Sequence, residues 1–133
     1  MSFSHTRVVI WRNPETDWEV LRQKLGELGC EVHPVASFEE ARAAILAKND
    51  DLVVSWLAKD SRKSFELLDW LQSRPTAPAV ILVTASGDVD LYLEAMQRGA
   101  FDCVGLPLDS RELTRIVTRA LESRCASSLA GGG

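Results

Sequence analysis

The sequence predicts an α/β protein, a five-stranded parallel sheet held in a three-layer α/β/α sandwich. Three observations predict it. Five short apolar runs rich in β-branched residues alternate with five amphipathic helical patterns. The runs are mostly continuous rather than alternating, as strands covered on both faces are. Strands alternating with helical patterns of about 10–15 residues imply parallel neighbours joined by right-handed crossovers.

Each element has its own signal. Arg7-Val-Val-Ile-Trp11 is the first strand. Asn13-Pro14 then offers an N-cap and a proline at the first helical position. Trp18, Leu21, Leu25 and Leu28 follow at helical spacing, and Gly29 is placed to end that helix. Glu31 to Val35 is a second strand, and Pro34 inside it predicts an edge position where no donor is needed. Ser37-Phe-Glu-Glu40 is a capping-box pattern opening a helix that turns Phe38, Ala41, Ala44 and Ile45 inward, ended by Asn49-Asp50.

Leu52 to Trp56 is the third strand, followed by a polar loop, Leu57 to Lys63, and a helix with Phe65, Leu68 and Leu71 on one face. Pro75 and Pro78 bound the next connection, Ala79 to Val83 is the fourth strand, and a helix from Asp88 to Arg98 stops at Gly99. The segment Phe101 to Leu106 holds the fifth strand, stopped by Pro107. Asp109 and Glu112 cap the last helix, whose inward face is Leu113, Ile116, Val117, Ala120 and Leu121. From Ser123 the pattern dissolves. The expected organisation is one domain over 1–123, with 124–133 a flexible tail or the start of a linker.

Bulk properties exclude several function classes. The chain has 133 residues, 46% hydrophobic and 26% charged, with a formal net charge of −4. No basic block marks a nucleic-acid footprint, so this segment is not expected to touch DNA. No apolar run reaches the roughly 20 residues of a membrane helix, and the short, polar stretch Met1 to Thr6 lacks the apolar core of a signal peptide. Cys30, Cys103 and Cys125 show no metal-binding spacing and cannot all pair, which fits free thiols in a reducing cytoplasm. His5 and His33 have no sequence partner suggesting a triad or metal site. No Gly-x-Ser-x-Gly, Gly-x-Gly-x-x-Gly or P-loop occurs.

In an open α/β sheet the functional crevice lies beyond the carboxyl ends of the strands. There the landmarks Asp51-Leu-Val-Val-Ser-Trp56, Ala79-Val-Ile-Leu-Val-Thr84-Ala85 and Gly99-Ala-Phe-Asp-Cys-Val-Gly-Leu-Pro107-Leu stand in register. Over Arg7 to Ser123 the chain resembles the receiver domain of bacterial response regulators, a doubly wound (βα)5 fold of flavodoxin-like type. The resemblance implies a place in phosphorelay, two-component signal transduction.

A working receiver phosphorylates an aspartate at the end of its third strand. Two acidic residues after the first strand hold Mg²⁺, while a Thr or Ser after the fourth and a Lys before the fifth-strand proline grip the phosphoryl group. Carried over by position, the acidic pair falls on Trp11 and Arg12, the acceptor on Trp56, the lysine on Leu106 and the aromatic switch on Cys103. Only Thr84 and Pro107 match, and the resemblance extends to a cis bond before Pro107. It therefore implies a degenerate receiver without phosphorylation chemistry, not an enzyme, with no metal and no cofactor.

Plainer readings stand beside these. Trp11 and Trp56 are also what packing residues look like, and Arg12 what a solvated or salt-bridged residue looks like; its alternative role is to replace the cation by pairing with a nearby carboxylate, Glu15, Asp60 and Asp88 being candidates. The resemblance places an interaction face on the fourth helix, fifth strand and fifth helix, with Tyr92, Asp102, Arg111 and Arg115, and with Glu94, Arg98 and Arg119 beside them. The expected partner is another protein, an output domain of its own, often transcriptional, or a second copy. The alternative is a small-molecule or anion sensor with a ligand between Trp11 and Trp56. A flavodoxin-like enzyme, the third reading, lacks a catalytic constellation.

Overall fold

The structure, a computed structural model, describes residues 6–12, 18–48, 51–57, 63–74, 78–84, 89–105 and 109–131. The elements run β1 (Arg7–Trp11), α1 (Trp18–Glu27), β2 (Glu31–Val35), α2 (Phe38–Lys48), β3 (Leu52–Trp56), α3 (Lys63–Gln72), β4 (Ala79–Thr84), α4 (Val89–Gln97), β5 (Asp102–Gly105) and α5 (Ser110–Gly131). All neighbouring strands pair parallel, in the order β2-β1-β3-β4-β5. The predicted fold class is the observed one.

The continuous apolar runs follow from burial on both faces. On one face Val8, Ile10, Leu52, Val54, Ile81 and Val83 pack against Leu21 and Leu25 of α1 and the predicted stripe of α5. On the other, Val9, Val53, Val80 and Leu82 meet Ala41 and Ile45 of α2, Phe65, Leu67, Leu68 and Leu71 of α3, and Ala95 of α4. Each large side chain so buried contributes about 1.5–3 kcal/mol relative to exposure.

The helix ends are built as their residues demand. Gly29 and Gly99 have φ of 92° and 104°, the left-handed region that favours glycine. Around each, the same two bonds close the helix: Gly29 N–H to Gly26 O with Cys30 N–H to Leu25 O, and Gly99 N–H to Met96 O with Ala100 N–H to Ala95 O. A side chain at Gly99 would also collide with Gln72 of α3. Ser37 Oγ accepts the Glu40 N–H at 3.1 Å, while the Glu40 carboxylate reaches back to the Ala36 N–H at 2.6 Å rather than to that of Ser37. Asp109 caps α5 by accepting the Arg111 N–H at 2.8 Å. The helical backbone of α5 continues past Ser123, and no proline interrupts the Ala- and Ser-rich stretch before Gly131.

Strand β2 lies at a sheet edge, as Pro34 predicts. Glu31 N–H bonds back to Thr6 O, and Val35 O accepts from Arg12 N–H. Glu31 and Val35 therefore face β1, and alternation turns the Pro34 backbone toward the open rim. The expected caps at Asn13-Pro14 and Asn49-Asp50, and the cis bond before Pro107, lie outside the described residues.

Candidate functional site

The strand register assembles the predicted corner at the carboxyl ends. Trp11 stands opposite Ser55, Ser55 opposite Leu82, and Leu82 opposite Cys103. One step further along, Trp56 stands opposite Val83 and Val83 opposite Val104, and beyond them Thr84 faces Gly105. The sequence-predicted residues Trp11, Trp56, Thr84 and Cys103 thus end on four adjacent strands. Leu106 lies outside the described residues, as do Glu15, Asp60 and Asp88, the candidate partners of Arg12.

The two indoles part company. Trp11 packs on the α2–α3–α4 side, where its ring meets Phe38 edge-on at 6.1 Å and 72°. Trp56 packs against the cluster on the α1–α5 side. Neighbouring residues of a strand point to opposite faces, and Trp56 is one step beyond the partner of Trp11. The two rings fill separate layers rather than facing each other across a cleft. Arg12 is exposed, and its backbone N–H anchors to Val35 O at 2.8 Å.

Between them lies a polar pair that sequence reasoning missed. Ser55 and Ser64 are both buried, with hydroxyl oxygens 2.8 Å apart, and Ser64 Oγ also donates to the Trp56 carbonyl. This locks the first turn of α3 to the end of β3. A serine inside an otherwise apolar strand was the available signal, since a buried hydroxyl needs a partner.

At the switch position Cys103 is a free, half-buried thiol. Burial, and then the Asp102 charge, push its pKa up to about 11. Cys30, free and buried, is raised by burial and then by Asp51. Neither thiol is primed as a nucleophile. Asp102 is half-buried, its carboxylate accepting the Cys103 N–H at 2.8 Å.

The predicted interaction face divides in two. Tyr92, Arg111 and Arg115 are exposed, and the two arginines line a shallow depression with Asp109 and Glu112. Val89 and Leu93 add exposed apolar surface to α4. Arg98 instead turns toward α3, and Glu94 pairs with it. The Arg98 guanidinium pairs with Asp69 at 2.5 Å and Glu94 at 3.0 Å, and lies 5.0 Å over the Phe65 ring. Bonds to Asp69 and then Glu94 raise its pKa further above the ordinary guanidinium value.

Comparison with known proteins assigns the family. The model of the response regulator receiver domain matches residues 13–118. The chain is 37% identical over 109 residues to the C4-dicarboxylate transport transcriptional regulatory protein DctD of Pseudomonas aeruginosa, covering 80% of this chain and 23% of that protein. It is 30% identical over 102 residues to the DNA-binding transcriptional regulator NtrC of Salmonella typhimurium, covering 77% and 22%. The chain thus spans about a quarter of the length of these relatives. In fold it is similar to the signal receiver domain of a putative Luxo repressor protein from Vibrio parahaemolyticus, with TM-score 0.84 and 23% identity over 96% of this chain and 98% of that one. NtrX from Brucella abortus superposes with TM-score 0.85 and 20% identity, covering 99% of this chain and 29% of that one. With five parallel strands in receiver order and a family model spanning most of its length, this chain belongs to the response regulator receiver domains, which are signalling modules.

Proposed function

We propose that this chain is a degenerate receiver that acts without phosphorylation, in the cytoplasm, through protein–protein contact that controls a downstream output domain. The observation that carries this reading is the identity of the residues at the strand ends. Trp11, Arg12 and Trp56 stand where the family keeps three carboxylates. An indole cannot accept a phosphoryl group, and a guanidinium repels a divalent cation. This donor set does not fit Mg²⁺, which takes oxygen ligands. The transcriptional regulators among the similar proteins support a transcriptional output.

On this reading the domain holds one conformation, the indoles filling the corner from both faces of the sheet. Tyr92, Asp102, Arg111 and Arg115 form the contact face for an output domain or a second copy. A ligand between Trp11 and Trp56 gains no support, because the rings pack in separate layers. The test is incubation with acetyl phosphate and Mg²⁺ followed by intact mass measurement. The expected result is an unchanged mass. A stoichiometric, acid-stable and base-labile 80 Da adduct, the mass of one phosphoryl group, would overturn the reading.

A further inference from the structure

A row of rings and guanidiniums runs outward from the end of β1 between α2 and α3. Trp11 meets Phe38, and one turn along α2 the Arg42 guanidinium lies 5.7 Å from the Phe38 centroid and 5.9 Å from that of Trp70 on α3. Arg74, just past α3, lies 5.1 Å from the same indole. Arg7, Arg22 and Arg98 all pair with carboxylates. Among the described residues Arg42 and Arg74, like Arg111, Arg115 and Arg119, pair with none. Glu39 stands three residues before Arg42, the spacing at which Glu19 and Arg22 do pair, yet Arg42 turns to the rings. The Arg74 Nε is buried without a hydrogen-bond partner among the described residues.

Two cations sharing one indole, in a chain of net charge −4, are an exception to its charge pattern. Stacking satisfies the flat face of a guanidinium and leaves its N–H edge competent for a carboxylate. It also orders a long side chain beforehand, so less freedom is lost when a partner arrives. Tryptophan and arginine are the residues that most often carry interface energy. Leu46, one turn beyond Arg42 on α2 and 55% exposed, adds apolar surface beside them.

We propose that the α2–α3 face around Trp70 is a second docking surface, which receives an acidic segment of a protein partner. One carboxylate pairs with Arg42 and another with Arg74 while the segment crosses the indole. The surface sits over the β1–β3 half of the sheet, apart from Tyr92, Asp102, Arg111 and Arg115.

The test is a titration of the isotope-labelled chain with a hexaglutamate peptide at low salt, followed by nuclear magnetic resonance. Saturable shifts are expected at the Trp70 indole N–H and the Arg74 Nε–H. Arg42→Gln with Arg74→Gln should weaken binding by about tenfold or more, the loss of two charge-assisted hydrogen bonds. Arg111→Gln with Arg115→Gln should leave it unchanged. Circular dichroism of each variant separates lost binding from lost fold, and Arg42→Lys with Arg74→Lys, which keeps both charges, should retain part of the affinity. Unchanged binding in the Gln pair, or shifts that follow Arg111 and Arg115 instead, would overturn the proposal. So would tighter binding of a single-stranded oligonucleotide at these residues, or self-association that Arg42→Gln abolishes.

Discussion

The hydroxyl oxygens of Ser55 and Ser64 lie 2.8 Å apart in the buried joint between β3 and α3. Each hydroxyl has one proton, and that of Ser64 goes to the Trp56 carbonyl, so Ser55 is the donor within the pair. Ser64→Ala then strands a buried donor and a carbonyl, and should cost about 1–3 kcal/mol. Ser55→Ala leaves Ser64 its bond to Trp56 and should cost less, about 0.5–1.5 kcal/mol. The double variant should cost less than the two single effects added. Urea unfolding of the three variants measures this, and equal, additive losses would contradict the donor assignment.

Arg98 is the described side chain that ion-pairs α4 to α3. Arg98→Met keeps much of the apolar stem over Phe65 and removes both ion pairs. Because the pairs are solvated, global stability should fall only slightly. Hydrogen exchange of the α4 amides should nevertheless quicken, since α4 contributes a single fully buried side chain, Ala95. Unchanged exchange there would show that the clamp is inert.

On the proposed reading, one carboxylate at position 56 should not be enough for phosphorylation. Trp56→Asp removes an indole from the α1–α5 layer and places a charge beside apolar neighbours, at a cost of about 2–4 kcal/mol. With Trp11 and Arg12 still in place, no Mg²⁺-dependent adduct is expected from acetyl phosphate. Intact mass and thermal melting read both outcomes together.

The Cys103 thiol supplies a pH signature. Its pKa near 11 in the folded chain lies above that of an unfolded cysteine, about 8.5. Between these values the unfolded chain loses the proton first, so stability should decline as pH rises from about 8.5 toward 11. Below that window the thiol contributes no pH slope. Cys103→Ala should flatten part of the decline. Iodoacetamide labelling of Cys103, followed by peptide mass spectrometry, should accelerate only near the upper end.

Most of the scaffold was readable because local chemistry and tertiary role coincide. Gly29 and Gly99 end helices where positive φ is required, Pro34 marks an edge, and the Leu113–Leu121 stripe is the buried face of α5. That Trp11 and Trp56 close their strands was readable, and their arrangement was less so. Which layer Trp11 and Trp56 enter depends on the stagger of β1 against β3, and no single strand carries that information. Arg98 reads from sequence as an outward charge on α4, and only the closeness of Asp69 and Phe65 draws it inward. The stacking of Arg42 and Arg74 on Trp70 joins residues of two elements whose spacing is set by the sheet beneath them.

The orientation of Pro34 reaches beyond the monomer. A parallel sheet with a bare margin offers its unused amides and carbonyls to any extended peptide that drifts alongside. At this margin the ring of Pro34 takes the place of one amide hydrogen, so an incoming β-strand finds a gap at the fourth of the five residues of β2. At the β2 margin the addition of a further strand is thereby disfavoured.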